Sequence, residues 1–468
     1  MSTSTSPHIA PRDTTRPRTL VRLAAIALVC FAAASARLPR AAAQIPLKPL
    51  LPRTITVRET AGMERKNWPI TTNLLLAPNE AADPATDLSL WRDAGTPQEA
   101  RVALQVLAVV KPQYVETKEI PAADKQVRLV EICFLADVPA NGTATYQLRT
   151  VKPEAAPAPA KLPIAGLTYA GEGTGRTVDT GPAIFAFDAV SGQLLSYTPT
   201  FTGFKQPLTF IQYKPRPIHW NPDVWAPPLA WGHTSDWDIK NPERSYSFAS
   251  SSGPIAYRTI RHGMMPLSNG VKTSVTYTAF AGMPFLLESS SMEFTTDTHA
   301  NAVRNNQLVF NRGHHTHGVW IDEAGQAKIM RGYDPAEPKK FFGYLGDVQD
   351  PMIPFVGLFH ETRRHGIGMI NLSHTTYASQ SLAEIPQRGN YYFLDYSDWG
   401  VAANYDLNFT YVSRSEIYTP TLMPKGALFA EQTAFLVFHT GADAAKQFEE
   451  VQRWIKLLRH PPRVTVNQ

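Results

Sequence analysis

Apolar and polar residues alternate along most of the chain, a pattern typical of β-strands that bury one face. Between residues 54 and 150, short runs such as ALQVLAVV and RLVEICFLADV are separated by Pro, Asn, Gly and Asp. The stretch PANGTATY places an Asn-Gly turn directly before a strand. Helix-period patterns of useful length are missing from this region, so we predict a small β-sandwich or barrel domain over residues 48–150.

Residues 164–441 continue the strand pattern on a larger scale. The stretch GPAIFAFDAVSGQLLSYTP predicts a strand, a Ser-Gly turn and a second strand. Two further hairpins are predicted to turn at EAGQ and at ETRRHG. So much antiparallel strand in one block exceeds a small closed barrel, and we therefore predict a β-supersandwich of two extended, packed sheets.

Two segments interrupt this all-β pattern. The Pro/Ala-rich stretch VKPEAAPAPAKLP, residues 151–163, predicts a stiff linker between the two domains. Residues 442–468 are predicted to form a C-terminal helix and tail, with the helix over 442–460 packed across the sandwich as a lid or brace. The apolar face of that helix recurs every three or four residues, at Ala445, Phe448, Val451, Ile455 and Leu458.

The N-terminus has the features of an export signal. A basic polar start precedes the apolar run LVRLAAIALVCFAAASA, which ends in small residues. We predict a signal peptide over residues 1–43 and a periplasmic or extracellular bacterial location. The apolar run is short and contains Arg22, so we expect no integral membrane span in the mature protein. After cleavage Cys133 stands alone in an apolar run and is predicted to be an inert core residue.

Two long segments resemble the galactose-mutarotase-like β-supersandwich of bacterial carbohydrate-active enzymes. They are TGPAIFAFDAVSGQLLSYTPTF and the stretch from Gly253-Pro254 through Tyr277 to Ala281-Gly282 and Pro284. The N-terminal unit, with ERKNWPI and EICFLADVPANGTATYQLRT, is similar to the small β-barrel that precedes the supersandwich in exo-type rhamnogalacturonan lyases. The α/α-toroid of related lyases has no counterpart among the helical patterns here. The resemblance implies the fold, while the superfamily includes epimerases, lyases, hydrolase accessory domains and binding modules.

Composition narrows the classes of partner. The chain has 468 residues, 18% of them charged, and a net charge of +5. Basic residues form no block larger than adjacent pairs, so we predict no nucleic-acid binding. The small positive excess suits an anionic glycan, and a polysaccharide or oligosaccharide is the partner that we expect.

The stretch NRGHHTHGVW, residues 311–320, has three of the chain's thirteen histidines. Strand alternation would place His315 and His317 on one face. Three interpretations stay open: an exposed strand start, histidines that contact a sugar or act in catalysis, and a metal site completed by His360 or His374. Our hypothesis is that His315 and His317 face a sugar-binding groove, without a metal ion or other cofactor.

A loop rich in tryptophan, HWNPDVWAPPLAWGHTSDWD, spans residues 219–238 and carries four of the nine tryptophans. Indole rings stack on flat sugar faces, and the neighbouring His and Asp side chains suit sugar hydroxyls. The alternative is a proline-pinned plug whose tryptophans fill a crevice. We predict substrate contacts from the following tryptophans: Trp220, Trp225, Trp231, Trp237 and, from the histidine strand, Trp320.

Cleavage of a uronate by β-elimination needs three kinds of side chain. A cation must neutralise the carboxylate, a base must remove a proton and an acid must protonate the leaving oxygen. The candidates are Arg331, Arg363 and Arg364 for the cation, His233, His315 and His317 for the base, and Tyr333, Tyr377 and Tyr391 for the acid. A hydrolase would instead use two carboxylates, with Asp322, Glu323, Asp347 and Asp350 as candidates.

These features favour a secreted carbohydrate-active enzyme that cleaves an acidic glycan as a polysaccharide lyase. The predicted catalytic residues are His233, His315, His317, Tyr333 and Arg363, and Arg331 joins the tryptophans in binding the substrate. Two alternatives stay open. One is a glycoside hydrolase or a mutarotase/epimerase on the same scaffold, and the other is a non-catalytic glycan-binding protein.

Overall fold

A computed structural model gives the fold of the chain. The predicted signal peptide and most of the predicted linker lie outside the residues that the structure describes. The described residues are 51–76, 80–110, 128–150, 161–201, 206–210, 212–213, 216–217, 222–229, 231–311, 313–331, 343–348, 350, 352–377, 389–396, 409–417 and 419–467.

The described chain is built mainly of antiparallel strands, which confirms the predicted all-β fold class. The first strands are β1 (Arg53–Arg58), β2 (Arg65–Leu76), β3 (Leu88–Arg92), β4 (Ala100–Val102), β5 (Leu104–Val110), β6 (Arg128–Val138) and β7 (Thr143–Thr150). The middle strands are β8 (Thr168–Ala170), β9 (Thr177–Asp179), β10 (Ala183–Phe187), β11 (Leu194–Pro199), β12 (Leu208–Thr209), β13 (Gln212–Tyr213), β14 (Arg216–Pro217), β15 (Asp223–Trp225), β16 (Trp231–His233), β17 (Ser247–Ser252), β18 (Ala256–Met264), β19 (Val271–Phe280) and β20 (Phe285–Phe294). The last strands are β21 (Thr298–Ala300), β22 (Ala302–Asn311), β23 (His317–Ile321), β24 (Ala327–Arg331), β25 (Gly343–Val348), β26 (Phe355–Phe359), β27 (His365–Tyr377), β28 (Asn390–Tyr396), β29 (Phe409–Ile417), β30 (Thr421–Met423), β31 (Leu428–His439) and β32 (Arg463–Asn467). The α-helices are α1 (Pro84–Asp87) and α2 (Glu449–Arg459).

The N-terminal unit has a five-stranded sheet in the order β32-β1-β7-β3-β4 and a three-stranded sheet in the order β2-β6-β5. Alternate residues such as Ile55, Phe134 and Leu148 fill the space between the sheets. The last strand of the chain returns to this unit, with Val464 opposite Val57 of β1. The predicted C-terminal tail is therefore an edge strand of the first sheet, which is a correction to the sequence analysis.

The supersandwich has two large sheets. One has nine strands in the order β17-β18-β19-β20-β31-β27-β26-β23-β24, and the other has six in the order β16-β15-β22-β29-β28-β25. Between them, Leu286 and Phe435 of the larger sheet share an apolar cluster with Val412 of the smaller one. The opposite face of the nine-stranded sheet packs on the N-terminal unit and on α2. The larger sheet is thus covered on both faces, as its near-continuous apolar runs require.

Turn chemistry set several predicted hairpins correctly. Asn141 adopts a φ of 55° in the turn between β6 and β7, as expected of Asn-Gly. EAGQ joins β23 to β24, and ETRRHG joins β26 to β27 with Arg364 at a φ of 58°. The predicted helix over 442–460 is shorter in the structure, because a 3-10 turn at Ala444–Lys446 precedes α2.

Packing accounts for the remaining predictions about the core. Trp454 of α2 stacks on Trp68 at 6.1 Å between ring centroids and meets Phe285 at 5.7 Å, so α2 braces the two units. Cys133 is buried and free, and burial raises the pKa of its thiol, as expected of an inert core residue. None of the helices in the described part of the chain is long and apolar enough to cross a membrane.

Candidate functional site

Five side chains meet on the outer face of the six-stranded sheet. The backbone register pairs Asp223 with His233 and Trp225 with Trp231, and it pairs Asp223 with Arg304 of β22. Directly paired residues point to the same side of a sheet. The intervening Val224 and Val303 point the other way, into an apolar cluster. We call the five residues Asp223, Trp225, Trp231, His233 and Arg304 the arginine–tryptophan cluster.

A buried ion pair forms the base of the cluster. Asp223 is completely buried, and its Oδ1 accepts a hydrogen bond of 3.0 Å from Arg304 Nε. Arg304 Nη2 donates to the second carboxylate oxygen, so the pair has the bidentate geometry that arginine prefers. The two opposite charges compensate each other, and the base of the cluster is close to neutral.

His233 lies next to this pair. Its Nδ1 is 3.5 Å from Asp223 Oδ2, and 15% of its side chain is exposed. This separation is longer than a normal hydrogen bond, so Asp223 acts on the ring mainly through its charge. The Nδ1 side of the ring therefore faces the carboxylate.

Aromatic rings cover the other side of the ion pair. The Arg304 guanidinium carbon lies 3.9 Å from the centroid of the Trp231 ring, a cation–π contact. Trp231 in turn stacks on Trp225, at 5.6 Å and 25°, and lies parallel to the His233 ring at 6.2 Å. Trp225 remains 38% exposed. The cluster therefore offers solvent an indole ring close to a partly exposed histidine.

Arg304 also receives support from a neighbouring strand of the six-stranded sheet, through a hydrogen bond to Tyr411 of β29. Its Nη1 donates to Tyr411 Oη at 3.1 Å, and Tyr411 donates to Gln307 Oε1 at 2.8 Å. Gln307 and Ser413 on the same face are completely buried. The arginine is therefore held by a carboxylate, a ring and a phenol.

The predicted tryptophan contacts divide into two groups. Trp225 and Trp231 belong to the cluster, whereas Trp237 is completely buried, stacks on Tyr246 at 5.2 Å and donates to Met264 O. Trp237 therefore fills a crevice, and its predicted role in substrate binding is corrected. Trp320 is half-buried against Phe393 in the main apolar cluster. Trp220 lies outside the described residues.

His315 is buried in the core and does not face an open groove. It is 0% exposed, its Nε2 is 2.8 Å from Tyr197 Oη, and its ring meets Phe310 edge-on at 4.6 Å. Burial lowers its pKa well below the ordinary value, and the nearby His365 lowers it further. The expected alternation fails because a turn at Gly313–His314 precedes β23, which begins only at His317.

His317 and Arg363 lie near the turn between β26 and β27. His317 is 9% exposed, its Nδ1 is 2.7 Å from Thr316 Oγ1, and its ring stacks on Phe359 at 5.1 Å. Arg363 is exposed, and its backbone N–H donates to His360 Nδ1 at 3.2 Å. These residues belong to the nine-stranded sheet, whereas the arginine–tryptophan cluster belongs to the six-stranded sheet. Their predicted catalytic roles stay predictions.

The other candidate acids and bases occupy separate positions. Tyr391 is completely buried and contacts Arg414, and Tyr377 is 48% exposed at the end of β27. Asp322 accepts backbone hydrogen bonds within its own turn, and Asp350 does the same at Met352. Glu323 forms an ion pair with Arg459, and Arg364 is exposed in its turn. The side chains of Arg331 and Asp347, and the whole of Tyr333, lie outside the described residues.

The metal interpretation gains no support from the described residues, where no three His, Cys, Asp or Glu side chains are arranged to hold a metal ion. His374, one proposed third ligand, has its Nε2 within 3.0 Å of both oxygens of Glu416. This pair belongs to a second polar cluster, between the two large sheets, that sequence reasoning missed. The charged residues within otherwise strand-like runs such as YVSRSEI and AEQTAFLVF could have indicated this polar cluster.

Comparison with known proteins gives similarities of fold at low identity. No family model matches the sequence, and no curated protein matches it. Among solved structures, a glycosyl hydrolase family 38 protein from Enterococcus faecalis aligns over 90% of this chain and 48% of its own, with 9% identity and a TM-score of 0.49. A galactose mutarotase-like protein from Lactobacillus casei aligns over 56% of this chain and 99% of its own, with 10% identity and a TM-score of 0.32.

A putative mutarotase from Salmonella typhimurium aligns over 58% of this chain and 94% of its own, with 12% identity and a TM-score of 0.35. The chain thus spans about half the length of the family 38 protein. At these identities and TM-scores, none of the similarities decides what this chain binds or catalyses.

Proposed function

We propose that this chain is a carbohydrate-active protein that binds a neutral sugar at the arginine–tryptophan cluster. The observation that carries the proposal is the exposed Trp225, stacked on Trp231 beside His233. An exposed indole next to fixed polar groups suits a pyranose, which has a flat C–H face and a rim of hydroxyls.

The charge of the cluster favours a neutral sugar over a uronate. Asp223 neutralises Arg304, so the cation is not available for a substrate carboxylate. A β-eliminating enzyme needs such a cation at its reacting centre. We therefore favour the alternative from the sequence analysis, a mutarotase/epimerase or glycoside hydrolase, over the polysaccharide lyase.

Between these two reactions, the described side chains of the cluster suit proton exchange at an anomeric centre. A hydrolase uses two carboxylates, whereas Asp223 is the one carboxylate in the cluster and is bonded to Arg304. In ring opening, His233 Nε2 would take the proton of the anomeric hydroxyl while the C1–O5 bond breaks and water protonates O5. Closure on the other face of the aldehyde would reverse these transfers and give the opposite anomer.

Binding and turnover test the proposal separately. Calorimetric titration with neutral sugars and uronates should give binding to neutral sugars that weakens about tenfold in Trp225→Ala. Trp91→Ala, a partly buried tryptophan of the N-terminal unit, is the matched control and should bind as the wild type does. NMR exchange between anomers should be accelerated by the wild type and not by His233→Ala.

Four results would each contradict a part of the proposal. Selective binding of uronates with formation of unsaturated products would restore the lyase. Unchanged affinity in Trp225→Ala would place the sugar elsewhere. Binding at the cluster without accelerated exchange between anomers would indicate a non-catalytic glycan-binding protein. Release of reducing ends would indicate a hydrolase.

Export is a separate part of the proposal. We propose that the chain acts outside the bacterial cytoplasm, supported by the basic start and the apolar run that ends in small residues before residue 44. N-terminal sequencing of the protein from the periplasm or medium should find cleavage after Ala36 or Ala43. Intact protein confined to the cytoplasm would contradict it.

A further inference from the structure

A band of buried polar side chains crosses the core between the two large sheets. The nine-stranded sheet contributes Glu288, His374 and Glu431, and the six-stranded sheet contributes Asn305, Arg414 and Glu416. We call these six residues the polar belt. Five of them are at most 4% exposed, and the His374 side chain is 11% exposed. Burial on this scale is unusual for carboxylates and requires partners.

The belt lies in the interior and not at a sheet edge. On β31, Glu431 is located between Phe429 and Phe435, which belong to two different apolar clusters. Arg414 takes the same position on β29, where apolar residues precede and follow it on the same face of the strand. The polar groups are therefore sealed between two apolar halves, and each unbalanced charge there is costly.

The residues around Glu431 give its carboxylate few well-aligned hydrogen bonds. Arg414 Nε lies 2.9 Å from Glu431 Oε2, but away from the axis of a hydrogen bond. The Nη2 of the same arginine donates to Asn371 Oδ1 at 2.7 Å and to Tyr391 Oη at 2.8 Å. The Asn305 amide donates to Ser290 Oγ at 2.8 Å. Burial raises the pKa of the Glu431 carboxyl group to a greater extent than the interaction with Asn305 lowers it. Neither oxygen of the carboxylate has a hydrogen bond of normal geometry among the described residues.

The other charged groups around Glu431 leave an excess of negative charge. Glu416 faces it from β29, and His374 is its direct cross-strand neighbour and pairs with Glu416. Glu288 lies on the same face of β20, and the completely buried Arg261 lies beyond it on β18. Three carboxylates thus stand against two guanidinium groups, and one proton is needed to balance the layer.

We propose that the polar belt is a proton-binding site that holds one extra proton at neutral pH, on the carboxyl group of Glu431. Burial raises the pKa of Glu431 to about 7, while Arg414 lowers it and Glu416 raises it. Loss of the proton leaves two carboxylates facing each other between β29 and β31. The contact between the two sheets is therefore weaker in alkaline than in weakly acidic solution.

The direction in which stability changes with pH follows from the protonation of Glu431 in the folded and in the unfolded chain. Below about pH 4.5, Glu431 is protonated both in the folded and in the unfolded protein. Between about pH 4.5 and 7 only the folded protein holds the proton, and above about 7 neither does. The stabilising contribution is therefore complete below about pH 4.5 and is lost as the pH rises through 7.

Infrared difference spectroscopy of the full chain tests the proposal directly. The carbonyl band of a protonated carboxylic acid should be present in the wild type at about pH 6 and disappear by about pH 8. Glu431→Gln, which imitates the protonated side chain, should fold and lack this band. Glu416→Gln is the matched control, and it should lose stability at both pH values because His374 loses its carboxylate partner.

Urea unfolding gives a second measurement. The ratio of the unfolding constants of wild type and Glu431→Gln should rise about tenfold per pH unit between about pH 4.5 and 7. Persistence of the band in Glu431→Gln, or its absence from the wild type at about pH 6, would overturn the proposal. If Glu431→Gln does not fold, the wild-type band alone decides, because a band that titrates near neutral pH supports the site and a missing band refutes it.

Discussion

Acid should destabilise this protein through its buried histidines, and His365 allows the effect to be calculated. His365 is completely buried, and its Nε2 lies 3.1 Å from the carbonyl oxygen of His314, to which neutral imidazole can donate. Burial lowers its pKa to about 4, with the nearby His360 and Arg363 lowering it further. In the unfolded chain the same group titrates near 6.5.

The folded protein therefore excludes a proton that the unfolded chain accepts. Between about pH 6.5 and 4, each pH unit costs the fold about 1.4 kcal/mol from this residue, or about 3 kcal/mol over the window. The stability is complete above about 6.5 and is lost as the pH falls. His315, with its pKa lowered in the same direction, adds to the slope, whereas Glu431 acts in the opposite direction above about 4.5.

The assay is urea unfolding at about pH 7 and about pH 5. His365→Phe should lose stability at both pH values through the missing hydrogen bond, yet its loss between them should be about 2 kcal/mol smaller than in the wild type. His262→Phe, an exposed histidine on β18, should keep the wild-type slope. Equal slopes in the wild type and in His365→Phe would refute the reasoning, whatever the stability of the variant at pH 7.

Three further predictions follow from buried charge, packing and backbone geometry. Asp223→Ala should lower the free energy of unfolding in urea by about 3–5 kcal/mol, because it leaves Arg304 buried without this carboxylate. Adding Arg304→Met should recover most of the loss. A single Asp223→Ala variant as stable as the wild type would contradict this reasoning. Trp454→Ala should cost about 3–5 kcal/mol, and an unchanged melting temperature would show that α2 does not brace the units. Gly192→Ala should lower the stability of the protein more than Gly95→Ala. Both glycines have positive φ, but only at Gly192 would a Cβ lie 2.9 Å from a neighbouring side chain. Equal losses of stability would mean that backbone strain alone matters.

Local sequence patterns predicted the strands and hairpins because their causes are local. Asn141-Gly142 and EAGQ specify turns through backbone conformations that few residues adopt. The return of β32 to β1 was missed, since five alternating residues after a helix do not identify the strand to which they pair. Register between distant strands depends on the assembled core, and a single strand contains little information about it.

The candidate site was predictable only in part for a related reason. Residue type suggested a cluster around Trp225, Trp231 and His233, and their spacing on a short hairpin brings them together. Arg304, 71 positions after His233, joins them only through the pairing of β15 with β22. Trp237 has the same residue type but turns into the core, because the loop has two sides and the sequence pattern does not distinguish them.

The two polar clusters are connected by the strands they share. β22 carries Arg304 on its outer face and Asn305 towards the belt, and β29 carries Tyr411 outwards and Arg414 inwards. A displacement of β29 would therefore move the phenol that fixes Arg304 as well as the partner of the belt carboxylate. Packed side chains and rigid strands of this kind can carry coupling between two sites. Sugar affinity should then fall as the pH rises through about 7 in the wild type and stay level in Glu431→Gln, and a parallel fall in both proteins would show that the two clusters act independently.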